Sequence, residues 1–299
     1  MPTLELSGGR TATYEVVGRG DPALLLPGGP GAAASYMSED ARLFADVFTC
    51  YLVDPHGSGG SSPPASPDGY RPEGHARFYD EARAALGLER VTVLGHSFGG
   101  GVALAYAALR PDVTERCISV GGFAVGTEAD AAEGGAAAAE MEAMLARHAD
   151  APWYESARAV WDSWTERALN ARSGAEIDDM MRVVLPLYAA HPDRPSVRAR
   201  LTAFAESLTF DLAAIKAWEG GVYQGIDLRP LLERISAPTL VVTGELDLIC
   251  GPAQARAIAA HVRDADLVLL PECGHWPVAE DPDAYERAVV DWLRAHPVG

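Results

Sequence analysis

Short apolar runs alternate with amphipathic stretches along most of this chain. Residues 4–6 and 11–17 read as two strands meeting at Gly8-Gly9, an antiparallel hairpin. Residues 23–26, 48–53, 91–94, 116–120, 237–244 and 265–270 are brief apolar or β-branched runs with the length of buried strands. Between them, residues 36–45, 71–86, 102–109 and 252–261 carry helical spacing, and 283–295 closes the sequence as an amphipathic helix. Gly87 and Pro111 stop two of these helices. Strands alternating with helices predict an α/β fold with a mostly parallel, doubly wound sheet. Chemistry in such sheets sits at the carboxyl ends of the strands.

The rhythm stops between about residues 125 and 228. This stretch is Ala-rich and helical, with breaks at Pro152, Gly174, Pro186 and Pro192. An inserted helical cap over the mouth of the sheet is expected there, with 1–124 and 229–299 as the core. Trp153, Trp161, Trp164 and Trp218 fall in the insertion. They are expected chiefly to build the cap's own core, with pocket lining as the other reading. Residues 129–139, with Gly134-Gly135, are low in complexity and read as a hinge.

A length of 299 residues suits one large α/β domain with such an insertion. The formal net charge of −18 argues against nucleic acid and against an anionic membrane surface as partners. It favours solubility, and an acidic surface also attracts cationic substrates. Cys50, Cys117, Cys250 and Cys273 are scattered, without zinc spacing or a disulfide framework. No HExxH, no paired metal carboxylates and no strand-borne GxGxxG are present, so neither a metal nor another cofactor is implied. The opening residues lack a basic segment followed by an apolar one, and no apolar run reaches membrane-span length. A cytoplasmic enzyme is the resulting expectation.

The chemistry centres on Gly95-His96-Ser97-Phe98-Gly99, which joins a strand to a helix. Flanking glycines let the two elements approach, and the sharp turn lifts the Ser97 hydroxyl clear of the sheet beside the helix's positive end. A serine hydroxyl is a poor nucleophile at neutral pH and needs a base. Imidazole is suited to that work, and a buried carboxylate fixes its tautomer. Asp247 and His275 each stand just past a predicted strand, giving the chain order Ser97, Asp247, His275. Residues 27–31, Pro-Gly-Gly-Pro-Gly, follow another strand with their N–H groups open to a ligand, as an oxyanion hole requires.

These stretches resemble the α/β-hydrolase superfamily over nearly the whole chain, and within it the proline iminopeptidases, a family of serine aminopeptidases. The matching segments are Pro27-Gly28-Gly29-Pro30-Gly31, Asp54-Pro55-His56-Gly57-Ser58-Gly59-Gly60-Ser61 and the turn around Ser97. Pro27, His56 and Phe98 stand where that family carries His, Arg and Trp. The resemblance implies oxyanion-hole N–H groups from Gly29 and Phe98. It also implies a cap carboxylate that grips the substrate's free amine. Trp218-Glu219 matches the family's Trp-Glu pair, and Glu245 is a second candidate. His96 and His56 are expected to be structural, and the remaining histidines show no ligand spacing. The activity implied is removal of an N-terminal residue, proline or a small one such as alanine. The substrate would be a short peptide or an aminoacyl small molecule. An esterase, lactonase or thioesterase acting on an apolar acyl group is the alternative. A hydrolase scaffold reused as a receptor or lyase is a third reading, and the intact triad and Gly-rich loop argue against it.

Overall fold

The computed structural model describes residues 1–126 and 135–298. Eight strands among them form one sheet: β1 (Thr3–Glu5), β2 (Thr11–Gly18), β3 (Asp21–Leu26), β4 (Phe48–Val53), β5 (Val91–His96), β6 (Thr114–Val120), β7 (Thr239–Gly244) and β8 (Ala265–Leu270). Their order is β1-β2-β4-β3-β5-β6-β7-β8. β2 runs antiparallel to β1 and β4, and the other neighbours are parallel. The expected hairpin forms, with Leu4 opposite Ala12.

Helices cover both faces, so the central strands need apolar side chains on both sides. All six residues of β5 are buried, as are all six of β7. Successive side chains enter opposite cores, as the two-residue period requires. Leu24, Leu26 and Val93 pack with the helices Pro72–Ala85, Phe98–Leu109 and Pro252–His261. Leu25, Leu94 and Val242 pack with Tyr285, Val289 and Trp292 of the final helix, Pro282–Ala295.

After β6 the chain leaves the sheet and returns before β7. The neck is pinned where Val125 bridges Asp227 and where the Gly126 N–H donates to the Ile226 carbonyl at 2.8 Å. The Gln254 side chain accepts from the N–H groups of Ala124 and Val125, fixing the point of departure. Between these strands of the neck lie short helices, among them Ala136–Ala146, Tyr154–Asp162, Trp164–Asn170, Gly174–Val184 and Pro195–Ser207. The expected hinge at 129–139 falls outside the described residues up to 134, and from Ala136 onward it is helix. No helix among the described residues is long and apolar enough to cross a membrane.

Candidate active site

Ser97 alone makes the turn between β5 and the helix Phe98–Leu109, at φ 57° and ψ −123°. A non-glycine residue held there stores strain of about 1–3 kcal/mol, which the surroundings must offset. They do so by folding the turn onto itself. The Ser97 N–H donates to the Val120 carbonyl of β6 at 2.8 Å, and the Ser97 carbonyl accepts from the Gly100 N–H at 2.9 Å. A Cβ on Gly95 would meet the Gly99 carbonyl oxygen at 1.9 Å, so no side chain fits there. Phe98 opens the helix, and the N–H groups of a first turn have no partner within it.

Asp247 follows β7 and His275 follows β8. Their side chains are fully buried, and His275 Nδ1 donates to Asp247 Oδ2 at 2.9 Å. The other Asp247 oxygen accepts from the N–H groups of Ile249 at 2.8 Å and Cys250 at 3.0 Å. Burial alone would raise the Asp247 carboxyl. The His275 imidazole and these donors outweigh burial and hold it below its ordinary value. A carboxylate acceptor keeps the proton on Nδ1 and leaves Nε2 free to accept one. His275 Nε2 is buried and has no hydrogen-bond partner among the described residues, so the bond to the Ser97 hydroxyl is not closed in this structure. Such bonds commonly tighten only when substrate is bound.

The loop carrying His275 is held at each peptide. Its N–H donates to the Tyr188 carbonyl of the cap at 2.7 Å. Its carbonyl accepts from His96 Nε2 at 2.6 Å, and the Tyr36 hydroxyl donates to His96 Nδ1 at 2.7 Å. A carbonyl can only accept, so the His96 proton sits on Nε2. Burial drives the His96 pKa down to about 3, so the ring is neutral and structural in its bonding. His56 is likewise buried, with its pKa lowered to about 4 by that burial, and packs at a tilt against Phe78 with ring centroids 4.1 Å apart.

The segment after β4 shapes the loop after β3. Buried Asp54 accepts from the Ala34 N–H at 2.8 Å and the Gly60 N–H at 3.3 Å. The Ser58 hydroxyl donates to the Gly31 carbonyl at 2.8 Å. Gly29 sits at φ 110°, a conformation that side-chain-bearing residues rarely adopt, and borders the same cavity as Ser97.

That cavity has two adjoining lobes, of about 280 Å³ and about 350 Å³. Gly29, Ser97, Trp164, Trp218, Glu219 and Ile249 border both. The first continues past Tyr36, Trp161, Tyr188 and Phe210, the second past Phe98, Phe123, Tyr223 and Ile226. Three of the four cap tryptophans therefore face the cavity, where cap-core packing was the main expectation. The short helices of the cap bury only part of each indole, and the free part is left for a ligand. Of the four, Trp153 points elsewhere, packed at a tilt against His148 and donating to Asp193. The Phe98 ring meets the Trp218 edge at 5.0 Å and 83°.

Glu219 lies in the π-helical turn Trp218–Val222, a kind of turn enriched at functional sites. Its oxygens accept from Trp164 Nε1 at 2.9 Å and from the Thr165 hydroxyl at 2.7 Å. Each carboxylate oxygen has a second lone pair, so capacity remains for a ligand cation. Glu245, the second candidate, is not brought to the cavity. Its side chain is exposed and borders neither lobe, because it follows β7 on the solvent side while Thr243 and Asp247 turn inward. Sequence reasoning missed Tyr36, Tyr188 and Gly121. Gly121 alone left a signal, since it too follows a parallel strand. Among the described residues no three His, Cys, Asp or Glu side chains gather as metal ligands.

A family model for the alpha/beta hydrolase fold matches residues 21–282, and the chain belongs to that family of hydrolases. Two curated relatives differ in what they are named for. One is a 2-hydroxy-6-oxononadienedioate/2-hydroxy-6-oxononatrienedioate hydrolase of Paraburkholderia xenovorans, 27% identical over 94% of this chain and 89% of that protein. The other is a proline iminopeptidase of Clostridium botulinum, 25% identical over 98% of this chain and 96% of that protein. Among solved structures, an alpha/beta fold family hydrolase from Bacillus anthracis superposes with a TM-score of 0.77 at 20% identity, covering 97% of this chain and 98% of the other. An enol-lactonase from Burkholderia xenovorans superposes at 0.74 with 22% identity, covering 98% of this chain and 100% of the other. At such identities the superpositions establish the fold alone.

Proposed function

We propose that this chain is a serine hydrolase that removes an N-terminal residue from a short peptide or aminoacyl small molecule. The supporting observation is Glu219, a cap carboxylate bordering both lobes of the cavity together with Ser97. A protonated amine on that carboxylate, flanked by the indoles of Trp164 and Trp218, gains both charge pairing and cation–π attraction. Held there, the amine belongs to the residue whose carbonyl lies over Ser97.

In this reading the Ser97 oxygen attacks the carbonyl carbon as its proton passes to His275 Nε2. The carbonyl oxygen takes the negative charge, held by the N–H groups of Gly29 and Phe98. Each such donor lowers the barrier by about 3 kcal/mol. Asp247 stabilises the imidazolium. The C–N bond then breaks, and the proton on Nε2 goes to the leaving amine. Water, deprotonated by His275, repeats the attack on the acyl-enzyme and frees the amino acid and Ser97.

Matched chromogenic amides of proline and alanine, with free and acetylated amines, test this beside a short-chain aryl ester. Free-amine amides are expected to be cleaved, and Ser97→Ala to lose at least about a thousandfold in kcat. Glu219→Gln is expected to cut kcat/KM on free-amine substrates by about a hundredfold and leave the ester within about threefold. Equal turnover of blocked and free amides overturns the amine anchor. That outcome favours the second reading, an esterase or lactonase on an apolar acyl group. The aromatic lining of both lobes supports that alternative.

A further inference from the structure

Glu280 closes the short helix Pro277–Glu280 just after the His275 loop. Its side chain has three hydrogen-bond partners, all of them backbone N–H groups. Oε2 accepts from Gly274 at 3.0 Å and from Ala190 at 2.7 Å, and Oε1 accepts from Trp276 at 3.1 Å. Gly274 and Trp276 are the two neighbours of His275 in the chain. Ala190 belongs to the cap, two residues beyond Tyr188, whose carbonyl takes the N–H of His275 itself. The two strands of contact thus interlock. The cap segment 188–190 gives an acceptor to His275 and a donor to Glu280, while Glu280 grips the peptides on either side of His275. The fit is close, since a Cβ on Gly274 would lie 2.6 Å from the Ala190 nitrogen.

We infer that Glu280 is a positioning residue that holds the His275 imidazole in register with Ser97 and fastens it to the cap. The inference rests on His275 being the base of the proposed reaction. β8 is the edge of this sheet, so the loop that follows it has a neighbouring strand on one side only. Without Glu280, the peptides around His275 would lose three fixed acceptor contacts, two of them on immediate neighbours. A ring carried on a looser loop spends less time within reach of the Ser97 proton, and misplacements of about 1 Å cost on the order of a hundredfold in rate. Burial pushes the Glu280 pKa up to about 7 despite the three donors, so the site keeps this carboxylate at an energetic cost. That cost is consistent with retention for position rather than for stability.

Glu280→Gln tests the inference with almost no change in volume. Whichever way the amide is turned, an N–H donor then faces a backbone N–H. The measurements are kcat and KM on the best substrate found, with folded active sites counted by a serine-directed phosphonate. The proton NMR resonance of His275 Nδ1–H, far downfield through its bond to Asp247, is followed as well. The expected result is a tenfold to hundredfold fall in kcat per titrated site, a KM within threefold, and a shifted or broadened downfield resonance. A kcat per site within twofold of the parent, with the resonance unmoved, overturns the role. Glu280→Ala serves if the glutamine variant is poorly folded, and the same per-site criteria apply. His275→Gln separates the two levels. If it stays active, the proposed reaction fails. If it is inactive while Glu280→Gln is normal, only the inference about Glu280 fails.

Discussion

A methyl group on Gly121 would lie 3.2 Å from Asp247 Oδ2 and 3.2 Å from His275 Nδ1, at a backbone φ of 51°. No free space separates the hydrogen-bonded pair from the end of β6. Gly121→Ala is therefore expected to push the pair apart by a few tenths of an ångström and to strain the backbone by about 1–2 kcal/mol. Stopped-flow acylation should fall by tenfold or more while the protein stays folded, and an unchanged rate would contradict the crowding. The three residues of the proposed triad were legible in the sequence because each stands directly after an apolar run of strand length. Gly121, Tyr36 and Glu280 were not singled out. His96 lies 60 residues beyond Tyr36, and Asp247 and His275 lie across the sheet from Gly121, while Glu280 grips backbone N–H groups at Gly274 and Trp276, contacts that leave no residue pattern to read.

At the scale of the element, the helix Phe98–Leu109 begins four residues earlier than the expected start at 102. Gly99, Gly100 and Gly101 are poor helix formers, each costing about 1 kcal/mol relative to alanine. Tertiary packing overrides that propensity, because only glycine lets the first turn lie against β3 and β5. Gly99 makes this concrete, with a Cβ there reaching 2.1 Å from the Leu26 carbonyl oxygen. Gly95→Ala is expected to destabilise the fold by about 3 kcal/mol or more through the same crowding, read as a fall in the denaturation midpoint. A midpoint within error of the parent would show that strand and helix can part. The strands themselves were read well from their apolar runs, and the residues 36–45 were not. There a 3₁₀ turn, Ala34–Met37, leads into a shorter helix, Ser38–Leu43, since Tyr36 must reach His96.

For the molecule as a whole, the mostly parallel character of the sheet followed from the alternation of strands and helices. The orientation of the cap indoles did not, because a helix of two or three turns offers too little periodicity to separate a cavity face from a core face. The acidity of the chain also has an interior component. Asp40 is buried, takes the Tyr285 hydroxyl at 3.0 Å, and is pushed by burial from 3.8 to about 7. A carboxyl with a raised folded pKa binds its proton more tightly when folded. Its contribution to stability is complete below pH 3.8 and is lost as pH rises through about 7. Asp40→Asn keeps the acceptor for Tyr285 without the charge. It is expected to stabilise the protein by about 2–3 kcal/mol more at pH 8 than at pH 5. Thermal melts at the two pH values check this, and an equal shift at both would refute it.

The hydrogen bond from the His275 N–H to the Tyr188 carbonyl crosses from core to cap. It fastens the two parts together at the base of the proposed reaction. Were the cap to lift along this edge, the His275 backbone would lose that anchor in the same movement that admits water.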